Sequence, residues 1–494
     1  MTDIRPAAVV VLAAGEGKRM HSSVPKVLHR MAGRPLLDHV LRAVDRLSPA
    51  HTVVVVGHGR EQVIGHLAAE WPHVTIAIQD QQLGTGHATR TALDVLASSG
   101  VTATDLAALG PVLVLYGDAP LLTSESLERL LDADAEVGVL TAAVADPAGY
   151  GRIVRDSGTG EVLAIVEHRE ADAEQLAIAE INSGVYTIEP VFLAAALERL
   201  SKDNSQDEEY LTDVVAIAKR DGLRVVAVLT SDADEILGVN DRAQLAGLSA
   251  LLRDRIVDAA ARSGVTFQDP RTTWVDVDVE LEPDATILRN TELLGSTRIA
   301  SGATVGPDST LRDVVVGAGA RVRSTTADSA EIGAGAEVGP FTYLRPGTVL
   351  GKGSKAGAYV EIKASTVGAG SKVPHLSYVG DASIGVGTNI GAATVFVNFD
   401  GEAKHRTTVG DHVRIGSDSM LVAPLTIGDG AYTAAGSVIT DDVPPGAMAV
   451  ARGRQRSILG WVQRRRPGSA SALAAEAAQT SRSTDSTNGE ESHQ

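Results

Sequence analysis

Cysteine is absent from this 494-residue chain. Its absence excludes disulfides, thiolate metal sites and a cysteine nucleophile, and it fits a reducing compartment. Aromatic residues are scarce, at 3%, while glycine is plentiful, at 50 residues. That combination suits a repetitive, tightly coiled backbone better than a conventional sandwich. A basic surplus is lacking too. The net charge is −18, which argues against nucleic acid as the main partner. No apolar run approaches the ~20 residues of a membrane helix, so no membrane association is expected. The opening apolar run, Ala7 to Gly15, is preceded by Asp3 and followed at once by Lys18 and Arg19. That is the wrong polarity for an export signal. The run reads as a first buried strand, and a cytoplasmic location is expected.

The chain is too long for one core. From 1 to about 241, apolar runs alternate with amphipathic stretches. The candidate strands are Val9–Leu12, Thr52–Val56, Val74–Ile78, Val112–Leu115, Val137–Val144, Val185–Ile188 and Val225–Leu229. Such alternation predicts an α/β domain with a mainly parallel sheet covered by helices on both faces. Leu and Ile at helical spacing in 242–262 predict a connecting helix. After Gly264 an aliphatic residue recurs every six positions: Ile287, Leu293, Ile299, Val305, Leu311, and later Ile415, Leu421, Ile427 and Ile439. A hexapeptide period over 263–456 predicts a solenoid in which three hexads make one triangular turn. The segment 457–494 ends in Ser, Ala, Thr, Glu and Gln with little to bury, and a mostly disordered tail is expected from about Pro467.

The loop Gly15-Glu-Gly-Lys-Arg-Met20 follows the first strand. Alone it is a weak signal, satisfied by any tight strand-to-helix turn. Lys26, behind Pro25, adds a further cation. Backbone N–H groups with two or three cations make a cradle for polyphosphate.

With this continuation, LAAGEGKRM followed by VPKVLH resembles the nucleotidyltransferases that join a sugar phosphate to a nucleotide. The usual pattern has Thr where Lys18 stands. QLGTGHA at 82–88, LYGDAPLL at 115–122, GYGRIV, IVEHREA, INSGVY and GVNDR follow in order. Hexapeptide repeats carrying KVPHLSYVGDASIG and NIGAATVFVNFDG come after them. This order is similar, over all but the tail, to the bacterial family of bifunctional N-acetylglucosamine-1-phosphate uridylyltransferase/glucosamine-1-phosphate N-acetyltransferases.

The resemblance implies a Rossmann-like nucleotidyltransferase domain, a linker helix and a left-handed parallel β-helix assembled as a homotrimer. It implies small-molecule substrates: UTP, acetyl-CoA, glucosamine 1-phosphate and N-acetylglucosamine 1-phosphate, leading toward peptidoglycan precursor. In the first half, Asp118 and Asn240 match Mg²⁺ ligands, and Arg19 and Lys26 match the phosphate-holding cations. Leu12, Ala13, Ala14, Gly15, Tyr116 and Gly117 fall in the nucleotide-binding segments. Gln79, Gly84 and Thr85 match the uracil readers; Gly151, Glu167 and Asn182 match the sugar contacts. Read alone, Asp118 serves equally well as a helix N-cap ahead of Pro120. Asn240 alone reads as a turn residue and Glu167 as a solvated charge.

In the second half, the resemblance assigns His375 as the base that takes a proton from the sugar amine, chemistry suited to an imidazole. Standing alone, position 375 reads as a solvated loop histidine. Arg345 and Lys363 match the sugar-phosphate ligands, and Tyr378 and Asn389 further sugar contacts. Ala392, Asn398, Phe399, Ser417, Ala435 and Arg452 fall where acetyl-CoA binds in the family. Phe399 replaces the usual Tyr. No metal is expected in this half.

Overall fold

A computed structural model describes residues 5–487. All seven expected strands of the amino-terminal half form one sheet. Across the sheet run Val225–Leu229, Val137–Ala143, Glu180–Ile188, Val112–Tyr116, Ala8–Ala13, His51–Val56 and Thr75–Ile78. Every neighbour is parallel except Glu180–Ile188, which is antiparallel to both strands beside it. Alternate residues of Ala8–Ala13 feed two separate cores. Val10 and Leu12 belong to one, Val9 and Val11 to the other. Both faces are therefore covered, as a run with no polar alternation requires.

A hairpin of Arg152–Arg155 and Val162–Val166, absent from the expected strands, extends this sheet. Its first strand carries an arginine that is only 1% exposed. The Arg152 guanidinium donates to the Tyr150 carbonyl and, at 3.5 Å, to the Leu176 carbonyl.

The connecting helix spans Arg242–Arg262 and is capped by Asp241, whose carboxylate accepts from the Gln244 N–H at 2.8 Å. Leu248 near its start packs with Met20, Met31, Leu36, Leu121 and Val239 of the first half. Val257 near its end joins the core of the second half. The two halves also meet directly. The Val277 N–H donates to the Ala32 carbonyl at 3.1 Å, and Arg34 pairs with Asp278.

Beyond Gly264, three parallel sheets of seven, ten and nine strands run side by side. Thr286 pairs with Thr304, three hexads on, and Ile287 with Val305. The six-residue ladder fills the interior: Ile287, Leu293, Ile299, Val305 and Leu311 are at most 1% exposed. Each such side chain contributes roughly 1.5–3 kcal/mol of burial. At the corners, backbone stacks on backbone. A Cβ on Gly391 or Gly416 would run into the backbone of Ser417 or Ala435 one turn later.

The tail departs from expectation. Ala470–Thr487 is helical, consistent with the high helix propensity of its alanines. Residues 488–494, the rest of the segment expected to be disordered, lie outside the described residues.

Candidate functional site

A cavity of about 430 Å³ opens at the carboxyl ends of the central parallel strands, where ligands collect in such sheets. Leu12, Ala13, Ala14 and Gly15 reach it from the first strand and its loop, and Tyr116 and Asp118 from the neighbouring strand end. Lys26, Gln79, Gly84, Thr85, Gly151, Glu167, Asn182 and Asn240 complete the wall among the residues expected there. Gly117 sits behind it, its N–H bonded to the Leu12 carbonyl at 2.9 Å. Arg19 is exposed on the turn Lys18–Met20 and is not part of the wall. Lys18, at the position where the family pattern has Thr, pairs with Glu16 on the same exposed loop.

Two oxygens converge on one cation here. The Lys26 ammonium is hydrogen-bonded to the Asp118 carboxylate and, at 3.4 Å, to the amide oxygen of Asn240. Asn240 is held from behind by the linker-helix start. Its N–H donates to Gln244 Oε1 at 2.8 Å. Asp118 is not a helix cap; the following helix, Ser124–Leu131, is capped by Thr123.

The far parts of the wall, around Gln79 and around Asn182, are equally built. Gln79 is buried, and its Nε2 donates to the Gly84 carbonyl at 3.1 Å. The Gln82 amide donates to the Ala14 carbonyl at 2.8 Å, tying two loops of the cavity wall together. Residues 208–211 brace this corner. The Gly86 N–H donates to the Glu209 carbonyl, and the Leu211 N–H to Thr85 Oγ1. Asn182 donates to the Tyr186 hydroxyl at 2.7 Å, beside a register shift in the strand Glu180–Ile188. Gly184 in that bulge has φ +76, and a Cβ there would overlap the Tyr116 ring. Burial pushes the Glu167 carboxyl above the usual range, opposed by the Thr212 hydroxyl at 3.3 Å. Burial also raises Glu208, and raises the Tyr116 phenol with help from Glu167 and Asp118.

Several wall residues are not among those expected: Tyr150, Ser183, Gly184 and Glu208. Tyr150 and Ser183 adjoin the expected Gly151 and Asn182. Glu208 lies in the run Asp207-Glu-Glu, which reads as solvated charge.

In the solenoid, Arg345, Lys363 and Tyr378 stand on successive turns of one sheet. Arg345 Nη1 is 2.9 Å from Glu361 Oε1 and Lys363 Nζ is 3.4 Å from Asp381 Oδ2. Asn398 donates to Asp381 Oδ2 at 2.5 Å and to the Tyr378 hydroxyl at 3.3 Å. Lys404, from the loop that leaves the coil between Asn398 and Thr407, lies beside Lys363. That neighbouring ammonium depresses its pKa. Lys404 was not among the expected residues; only the fold reveals its proximity to Lys363.

His375 ends a strand of the adjacent sheet and is exposed. Among the described residues no side chain bonds its ring. Asn389 is on that same sheet, bridged to Lys372 and Arg414. Ala392, Ser417 and Ala435 occupy one corner on successive turns, where the Asp418 N–H donates to Ala392 and the Gly436 N–H to Ser417. Phe399, Ser417, Ala435 and Arg452 are exposed. The predicted acetyl-site residues thus spread over a corner and two open faces.

Residues 9–216 match the model of the MobA-like NTP transferase domain, and 406–441 match the bacterial transferase hexapeptide (six repeats). The chain is 57% identical to the bifunctional protein GlmU of Streptomyces avermitilis, over 97% of this chain and 98% of that protein. It is 55% identical to its counterpart in Kineococcus radiotolerans, over 96% and 95%, and 53% identical to that of Corynebacterium glutamicum, over 96% and 97%. Two transferase modules and near-complete coverage lead to one assignment: the chain belongs to the family of bifunctional GlmU proteins.

Proposed function

We propose that the solenoid acetylates glucosamine 1-phosphate with acetyl-CoA and that the amino-terminal cavity then transfers UMP from UTP to the product, releasing pyrophosphate. The observation that carries the second step is the convergence of Asp118 and Asn240 on a single positive charge. The Lys26 ammonium is a stand-in there for a divalent ion. One carboxylate and one amide oxygen suit Mg²⁺, which takes its other ligands from water and phosphates. When bound, Mg²⁺ supplies neutralisation of phosphate charge and of the leaving pyrophosphate.

The chain's own residues do the rest. The attacking sugar phosphate is already an anion, so no base is needed. Glu167, Asn182 and the Gly151 backbone hold the sugar in line with the α-phosphorus. Lys26, released from Asp118, and Arg19, from its exposed turn, bind phosphate oxygens. Gln79, Gly84 and Thr85 hold uracil.

In the other reaction Arg345, Lys363 and Lys404 hold the sugar phosphate. His375 removes a proton from the amine as its nitrogen attacks the thioester carbon. The carbon–sulfur bond breaks and CoA leaves. The exposed positions of Ser417, Ala435 and Arg452 suit a site completed by a neighbouring copy in a homotrimer. The exposed rings of Phe341 and Tyr359, stacked 5.2 Å apart on the solenoid, support such packing. We place uridylyl transfer in 1–241, the linker in 242–262 and acetyl transfer in 263–456, all in the cytoplasm.

One assay tests this reading: protein with glucosamine 1-phosphate, acetyl-CoA, UTP and Mg²⁺. Release of both CoA and pyrophosphate is expected. Pyrophosphate only with a different sugar phosphate, and no CoA, would reduce the solenoid to an oligomerisation module.

A further inference from the structure

We infer that His87 is a positioning residue that fixes the side-chain amide of Gln79 and thereby sets the preference for uracil over cytosine. The inference rests on the reading of Gln79 as a base contact. Gln79 Nε2 lies 3.1 Å from the Gly84 carbonyl oxygen and 2.9 Å from His87 Nδ1. A carbonyl only accepts, so the atom facing it is the amide nitrogen and not Oε1. That nitrogen has two hydrogens. One goes to Gly84 and the other to His87, whose Nδ1 accepts in the tautomer carrying its proton on Nε2. Both donors of the amide are therefore consumed inside the protein. Among the described residues Oε1 takes no hydrogen bond, and Gln79 lines the cavity.

Gln79 thus offers the base an acceptor and no donor. Uracil meets an acceptor with N3–H. Cytosine has a lone pair at N3 and donors on its exocyclic amine, so the same acceptor faces a lone pair. An amide free to turn would read either base. Gly84 and His87 together prevent the turn. Gly84 is anchored as the residue just before the helix Thr85–Ser98, and its carbonyl also accepts from Ala88 N–H at 3.1 Å. The Gly84 acceptor is thereby shared, and His87 supplies the one that serves the amide alone.

The experiment compares His87→Phe, His87→Asn and Gln79→Ala with the native chain. It measures kcat/KM for UTP and for CTP at saturating N-acetylglucosamine 1-phosphate, with thermal unfolding as the check on folding. His87→Phe cannot accept. It is expected to narrow the UTP-to-CTP ratio about tenfold, mainly through the KM of UTP, because the contact at N3 loses discrimination when the Gln79 amide is unfixed. The KM for the sugar phosphate should not move. His87→Asn, which retains an acceptor, should keep more of the ratio than His87→Phe. An unchanged ratio in folded His87→Phe overturns the inference if Gln79→Ala narrows it. An unchanged ratio in Gln79→Ala instead overturns the reading of Gln79 beneath it. Loss of UTP and CTP turnover in equal proportion in both His87 variants also overturns the inference, since that is what a merely structural histidine would give.

Discussion

Lys26 lies on the carboxylate of Asp118, the two meeting in the wall of the amino-terminal cavity although 92 positions separate them. Each side chain is mostly buried, at 15% and 16% exposure. A cation and an anion so placed neutralise each other until a ligand separates them, and the Asn240 oxygen is already directed at the same point.

Replacement of Asp118 by Ala is therefore expected to lower Mg²⁺-dependent pyrophosphate release about a hundredfold or more, the scale of losing one preorganised charge contact. CoA release from glucosamine 1-phosphate and acetyl-CoA should persist, since Arg345, Lys363 and His375 lie in the other half. Loss of both activities in a folded variant would refute two separate sites.

Lys26→Met removes the competitor for the two oxygens. Mn²⁺, used as a paramagnetic probe for Mg²⁺, should bind the nucleotide-free variant more tightly than the native chain. Turnover with UTP should fall nonetheless, because the phosphate contact proposed for Lys26 is gone. Weaker Mn²⁺ binding in the variant would show that Lys26 does not occupy the metal position.

Glu167 carries a pH signature. Burial raises its folded pKa above the ordinary carboxylate value of about 4.3. The folded state then holds the proton more tightly than the unfolded chain. Its contribution to stability is complete below the unfolded pKa and is lost as pH rises through the folded one. Glu167→Gln should melt higher than the native chain at neutral pH, and the difference should vanish in acid. Equal transition temperatures at both pH values would count against it. Sugar-phosphate KM should rise in the same variant.

Leu311→Ala opens a hole in the solenoid where the native side chain is fully buried. A cost of about 2–5 kcal/mol is expected from denaturant unfolding. Because each coil contacts only its neighbours, acetyl transfer should be lost at lower denaturant than in the native chain, with the loss of uridylyl transfer shifted less.

Much of this was legible in the sequence because the physics is local. Ala8–Ala13 is apolar at every position, as a strand covered on both faces requires, and the six-residue recurrence from Ile287 to Leu311 fixes the side facing inward. Lys26 behind a proline was visible as a further cation, whereas Asp118 at a strand end, read alone, served equally well as a helix cap. Arg152 was not, since an arginine followed by Ile-Val reads as surface until its carbonyl partners are seen. Glu208 and Lys404 come from irregular loops, whose course depends on what they pack against. The orientation of Gln79 depends on Gly84 and His87 together, a relation that spacing alone does not express.

The start of the linker helix has a practical implication for anyone dissecting the protein. Asn240 is steadied by Gln244, and Leu248 closes the apolar seat around Met20 and Leu121. An excised amino-terminal fragment ending at residue 241 would leave Asn240 on a frayed end and uncover greasy surface. A fragment reaching past Leu252 would keep both the seat and the grip on Asn240.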